Sequence, residues 1–99
     1  MDPHTWGLGK RHRVKAWPRS VLRLVEERQG GRYCVHCREQ GLTTPKGEPI
    51  EVDHRLPLSK EGSDNHHTNL MFSCRAHNRA RGGRLLREGV ERPHWLHRR

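Results

Sequence analysis

Residues 51–81 read EVDHRLPLSKEGSDNHHTNLMFSCRAHNRAR, and this stretch decides the fold. From Ile50 to His54, β-branched Ile50 and Val52 alternate with acidic Glu51 and Asp53, the period of a half-buried strand. Leu56-Pro57-Leu58 stops that strand, and SKEGSDNHH (59–67) is a polar surface loop. Leu70-Met71-Phe72 is short and apolar, the pattern of a returning strand. From Cys74 to about Arg81 the chain predicts a helix that ends near Gly82-Gly83, with Leu85 and Leu86 continuing a second short turn. The order through the centre is strand, loop, strand, helix.

Two pairs of potential metal ligands flank this centre. Cys34 and Cys37 form a knuckle in the run Tyr33-Cys34-Val35-His36-Cys37, and Cys74 and His77 repeat the two-residue gap downstream. Zinc takes four nitrogen and sulfur ligands in a closed tetrahedron, and paired ligands two residues apart are how short chains supply them. The two pairs use every cysteine in the chain. His36 is the alternative fourth ligand, but its position between two ligands turns its ring away, which favours His77. A structural zinc on Cys34, Cys37, Cys74 and His77 would close a long loop. Such a staple is expected here, because the chain has 99 residues of which only 30% are hydrophobic. A chain so short and so polar has little core to hold it together.

The net charge of +9 calls for a polyanionic partner, and 16 of the 20 basic residues are Arg, the side chain suited to bidentate phosphate contacts. Nucleic acid fits better than a membrane surface, and no apolar run of about 18 residues suggests a span. Met1, Asp2, Pro3 and His4 offer no signal-peptide core, so the expected location is cytoplasmic. Residues 1–17 read as a basic arm, with Trp17 a packing anchor for the next helix. Residues 18–31 form that structural helix, with Pro18 as its first residue and Val21, Leu22, Leu24 and Val25 on one face. Gly30 and Gly31 end it. Residues 32–83 are the core with the zinc site, and 84–99 are a basic C-terminal extension.

Asp53 and His54 can share a site only where the strand ends and bends, which Pro57 makes plausible. A carboxylate is a hard ligand for magnesium or manganese, and a neutral imidazole beside it can accept a proton from water. His77 and Asn78 are separated by about 100° on a helix, so one can face the zinc while the other faces a second centre near Asp53.

The order DH, NL, CxxHN resembles the HNH endonuclease family. DHRLPLSKEGSD is similar to its DH-x-x-P-x-S-x-G-G-S-D segment, with Glu61 where glycine is common, and NLMFSCRAHNRARG is similar to its NL-x-x-x-C-x-x-C-N-x-A-K-G ending. The resemblance covers residues 34–82 and implies a small α+β fold: a ββα-metal core stapled by a structural zinc, with an N-terminal helix and basic terminal extensions. Two departures stand out. His77 replaces a second cysteine, and Asn78 replaces the final histidine, giving an H-N-N variant.

The resemblance further implies the roles. His54 is the general base, and Asn69 orients the loop that bears it. Asp53 and Asn78 hold one catalytic Mg2+ or Mn2+. Arg55, Arg75, Arg79, Arg81 and Arg84 are candidates for DNA phosphates. The implied activity is divalent-metal-dependent hydrolysis of DNA phosphodiester bonds, with double-stranded DNA as substrate. Similarity to phage-type stand-alone members adds a packaging protein such as a terminase as a possible partner. The competing expectation is a zinc-stapled DNA-binding module without catalysis, for which Asp53, His54, Asn69 and Asn78 would be unnecessary. An RNA-binding zinc knuckle would explain the charge but not those four residues.

Overall fold

The computed structural model describes residues 1–82. The expected basic extension at 84–99, Arg84 and the second turn at Leu85 and Leu86 lie outside the described residues. Three α-helices and two strands run in the order α1 (Arg19–Gln29), α2 (Val35–Glu39), β1 (Ile50–His54), β2 (Leu70–Cys74) and α3 (Arg75–Arg81), with a 3-10 turn at His67–Asn69 before β2. This is a small α+β fold whose centre is strand, loop, strand, helix.

β1 and β2 pair antiparallel, with Ile50 opposite Cys74, Val52 opposite Phe72 and His54 opposite Leu70. All five residues of β2 are buried. The returning strand therefore runs two residues beyond the apolar triplet, to buried Ser73 and Cys74, and α2 packs on it with Cys34 and Cys37 against Cys74. Val21 and Val25, one turn apart on α1, meet Leu70 and Phe72 in the main core, and Trp6, Trp17, Leu22, Ile50 and Val52 pack around them. Burying each such aliphatic side chain contributes roughly 1.5–3 kcal/mol, so four of them make a thin core.

Polar bonds then fasten α1 to β2. Gln29 accepts a hydrogen bond from the Phe72 amide at 3.0 Å, and Arg28 donates to the carbonyls of His67 and Leu70. Pro18 precedes the helix rather than beginning it. Its ψ of 136° is extended, and its carbonyl accepts the amides of Val21 and Leu22 as an N-cap does. At the other end Gly30 closes α1 with φ 81°, the left-handed cap that glycine adopts without penalty.

The N-terminal segment lies folded on the loop between the strands. The Gly9 amide donates to Asp64 at 2.9 Å, Arg11 to the Leu58 carbonyl at 2.7 Å, and the Asn65 amide to the Lys10 carbonyl at 2.8 Å. Trp6 and Trp17 meet edge to face with centroids 5.8 Å apart, so Trp17 anchors this segment as well as α1. No helix among the described residues is long and apolar enough to cross a membrane.

Candidate active site and metal centre

The two ligand pairs are built by one device. Cys34 caps α2 and its sulfur accepts the Cys37 amide at 3.4 Å. Cys74 caps α3 and its sulfur accepts the His77 amide, also at 3.4 Å. The expected knuckle is thus the first turn of a helix. In each pair the cap residue and the side chain three positions on face one point.

There the ligand atoms of Cys34, Cys37, Cys74 and His77 lie within 4.8 Å of one another, with all four residues buried. His77 Nδ1 is 3.6, 3.4 and 3.3 Å from the sulfurs of Cys34, Cys37 and Cys74, and the Cys37 and Cys74 sulfurs are 4.0 Å apart. A zinc tetrahedron with ordinary bond lengths needs about 3.5 Å between nitrogen and sulfur and about 3.8 Å between sulfurs. The donor set therefore fits a closed zinc centre. On the far side of the ring His77 Nε2 meets Gln40 Oε1 at 3.3 Å, the outer contact that fixes a ligating imidazole's tautomer.

The thiols titrate apart. Burial pushes Cys34 up, but hydrogen bonds from His77 and from the Cys74 and Cys37 amides outweigh it and bring the thiol to about 6. Burial and the neighbouring Cys34 charge push Cys74 up to about 12, and burial raises Cys37 as well. Three thiols this close cannot all ionise unless a cation sits among them.

On the other side of α3, Asp53, His54 and Asn78 line one open cavity of about 230 Å³ together with Arg13, Trp17 and Leu58. The same three residues and Arg13 also line an adjoining hollow of about 310 Å³ toward Pro57 and Gly82. Asp53 is buried, and its Oδ2 accepts Arg81 Nη1 at 3.0 Å. The bond from Asn78 Nδ2 to Glu51 Oε1, at 3.3 Å, leaves the Asn78 side-chain oxygen without a hydrogen-bond partner among the described residues. His54 Nε2 lies 2.8 Å from Asn65 Oδ1, and its ring lies 5.8 Å from that of Trp17.

Asn69 clamps the loop that comes after His54. Its Oδ1 accepts the Leu56 amide at 2.8 Å, and its Nδ2 donates to the carbonyls of Leu56 and Asp64 and to Ser63 Oγ at 3.2, 2.9 and 3.1 Å.

The five arginines expected at phosphates divide. Arg55 and Arg79 are exposed. Arg75 is also exposed but holds Glu51 at 3.0 Å. Arg81 is a correction, because only 1% of it is exposed and it donates to Asp53, to the His54 carbonyl and to the Arg55 carbonyl. It faces inward because the last turn of α3 packs over the end of β1, where the Asp53 carboxylate needs a buried partner.

Sequence reasoning missed several neighbours. Glu51 shares a strand face with Asp53, so the two-residue period could have found it. Arg13 and Asn65 carry no local signal. His36 turns away from the thiols as expected, but toward Asp53, with Nε2 3.6 Å from Oδ2. That gap is too long for a hydrogen bond, and His36 Nε2 is the one buried side-chain polar atom without a partner among the described residues.

A family model described as HNH endonuclease matches residues 34–84. That span is half of the chain and contains both ligand pairs and Asp53, His54 and Asn78. The chain belongs to the HNH endonuclease family, a family of nucleases. No significant match appears among curated proteins or among solved structures.

Proposed function

We propose that this protein is a metal-dependent endonuclease that hydrolyses DNA phosphodiester bonds. The observation that carries the reading is the convergence of Asp53, His54 and Asn78 on one open cavity, in a chain of the HNH endonuclease family.

Asp53 and Asn78 would hold a divalent cation, Mg2+ or Mn2+. Their donors suit it: a carboxylate oxygen beyond the Oδ2 that Arg81 occupies, and an amide oxygen whose nitrogen end is tied to Glu51. When bound, such a cation offsets charge on a scissile phosphate and on the departing oxygen. His54 takes the proton from the attacking water as general base. Asn69 keeps the loop behind His54 in place. Cys34, Cys37, Cys74 and His77 hold a zinc that fixes α3, and with it Asn78, against the strands. Exposed Arg55 and Arg79 meet the DNA backbone, and Arg75 and Arg84 are further candidates for it. Association with DNA then weakens steeply as salt rises.

The Arg81–Asp53 pair favours a second reading, in which Asp53 serves only the fold and the chain binds DNA without cutting it. Supercoiled plasmid incubated with the zinc-loaded protein separates the two. Nicking is expected with Mg2+ or Mn2+, none in EDTA, and a loss of about 10²–10⁴-fold in His54→Ala. Retention of plasmid in gel shifts without any metal-dependent nicking would establish the second reading instead.

A further inference from the structure

Asn65 is fully buried and its side-chain amide bridges two parts of the chain that are far apart in sequence. One end lies 2.8 Å from the His12 carbonyl and the other 2.8 Å from His54 Nε2. Chemistry fixes which end is which. A backbone carbonyl can only accept, so the NH2 group faces His12, and the amide oxygen must face the imidazole. An amide oxygen also only accepts, so Nε2 has to be the protonated nitrogen of neutral His54. That leaves Nδ1 as the nitrogen with a lone pair.

We propose that Asn65 is a positioning residue that fixes both the tautomer and the orientation of His54, and that the N-terminal segment sets Asn65 in turn. The inference rests on the reading of His54 as general base and adds residues 7–12, outside the family core, to the machinery of the site.

Three observations support the second half. The Asn65 backbone amide donates to the carbonyls of Lys10 and Gly7 at 2.8 and 3.2 Å, so main chain and side chain of Asn65 grip the same segment. Gly7 has φ +79°, and a Cβ placed there would lie 2.6 Å from the Asn65 carbonyl oxygen, so the segment seats only because position 7 lacks a side chain. The anchors on either side, Gly9 to Asp64 and Arg11 to Leu58, hold the loop in the same register. A merely structural asparagine could present either end to the imidazole. This one cannot, because His12 dictates it.

The test is a two-bond proton–nitrogen NMR spectrum of the zinc-loaded chain at roughly pH 8, where an ordinary imidazole is neutral. His54 is assigned by its absence from His54→Ala. Wild type is expected to give the pattern of pure Nε2–H. Asn65→Ala is expected to give a mixture of both tautomers (free imidazole favours Nε2–H only modestly). In plasmid nicking, kcat is expected to fall on the order of tenfold or more with KM within about twofold. Asn65→Asp keeps the acceptor toward Nε2 but loses the donor to the His12 carbonyl, and is expected to keep the Nε2–H pattern while recovering only part of kcat.

Gly7→Val leaves the His54 and Asn65 side chains chemically intact and acts only by forcing the N-terminal segment off Asn65, and it is expected to show the same mixture. Asn65→Leu fills the space and replaces Asn65→Ala if the cavity alone unfolds the chain. A pure Nε2–H pattern in the Asn65→Ala or Asn65→Leu variant would overturn the proposal. A pure pattern in Gly7→Val would remove the N-terminal half of it. Absence of nicking in wild type would defeat the reading of His54 as base, while the spectra would still decide what Asn65 does.

Discussion

The two faces of α3 differ in what they leave open. On one face four donors from α2, α3 and their caps close on a single point with 0–2% of each residue exposed. On the other, His54 and Asn78 are only half-buried, and Arg13 stands at a cavity mouth that reaches solvent. The closed face has all four tetrahedral positions supplied by protein, so nothing else can bind there. The open face supplies few donors and leaves room for water and a ligand. One helix serves both, since His77 turns into the thiol cluster and Asn78 toward Glu51. A small chain with a thin core can keep an open site because its rigidity comes from a closed one next door.

The largest expected effect breaks the closed face. Removing zinc with a strong chelator, or replacing Cys74 with Ser, should abolish cooperative unfolding in thermal melts, with about one zinc per chain released on chelation. A structural zinc contributes roughly 10 kcal/mol, as much as the whole stability of an ordinary domain. An unchanged melting transition after verified metal removal would show that the core alone suffices.

The ion pairs sharpen the contrast on a smaller scale. Arg81→Met leaves the Asp53 carboxylate buried with no guanidinium, and the expected cost is about 3–5 kcal/mol in urea unfolding. Asp53→Asn in the same background should recover part of it, because the uncompensated charge is gone. Arg75→Ala opens an exposed pair with Glu51 and should cost under about 1 kcal/mol, less still at high salt. Equal costs for the two arginines would mean that burial does not separate them.

Local patterns were legible in the sequence, and three-dimensional closures were not. The alternation in Ile50–His54 and the Val21 and Val25 spacing predict β1 and the buried face of α1, and Gly30 marks its end, because each signal is read within one element. The four buried zinc-type donors were legible for a related reason: paired spacing is itself a local constraint. The five residues of α2 are too few for a helical period, so the turn at Cys34–Cys37 gave no sign of continuing. Arg81 reads as a solvated residue of a last helical turn, where arginine is usual. Only the crossing of α3 over β1 turns it inward. Residues 1–17 have the composition of a free arm. Their docking depends on a glycine conformation at position 7 and on backbone carbonyls, which leave no trace in side-chain chemistry.

The adjacency of His77 and Asn78 has a consequence for how this gene can change. Inserting or deleting one residue between Cys74 and His77 would rotate everything beyond it by about 100°. His77 would leave the thiols in the same event that took Asn78 from its cavity. Substitutions there can damage one centre at a time, whereas a length change damages both together. The exposed tip of the loop at Glu61 and Gly62 is under no such double constraint. Length variants should therefore survive selection at the loop tip and vanish from α3, a pattern that a library of single-codon insertions and deletions would display directly.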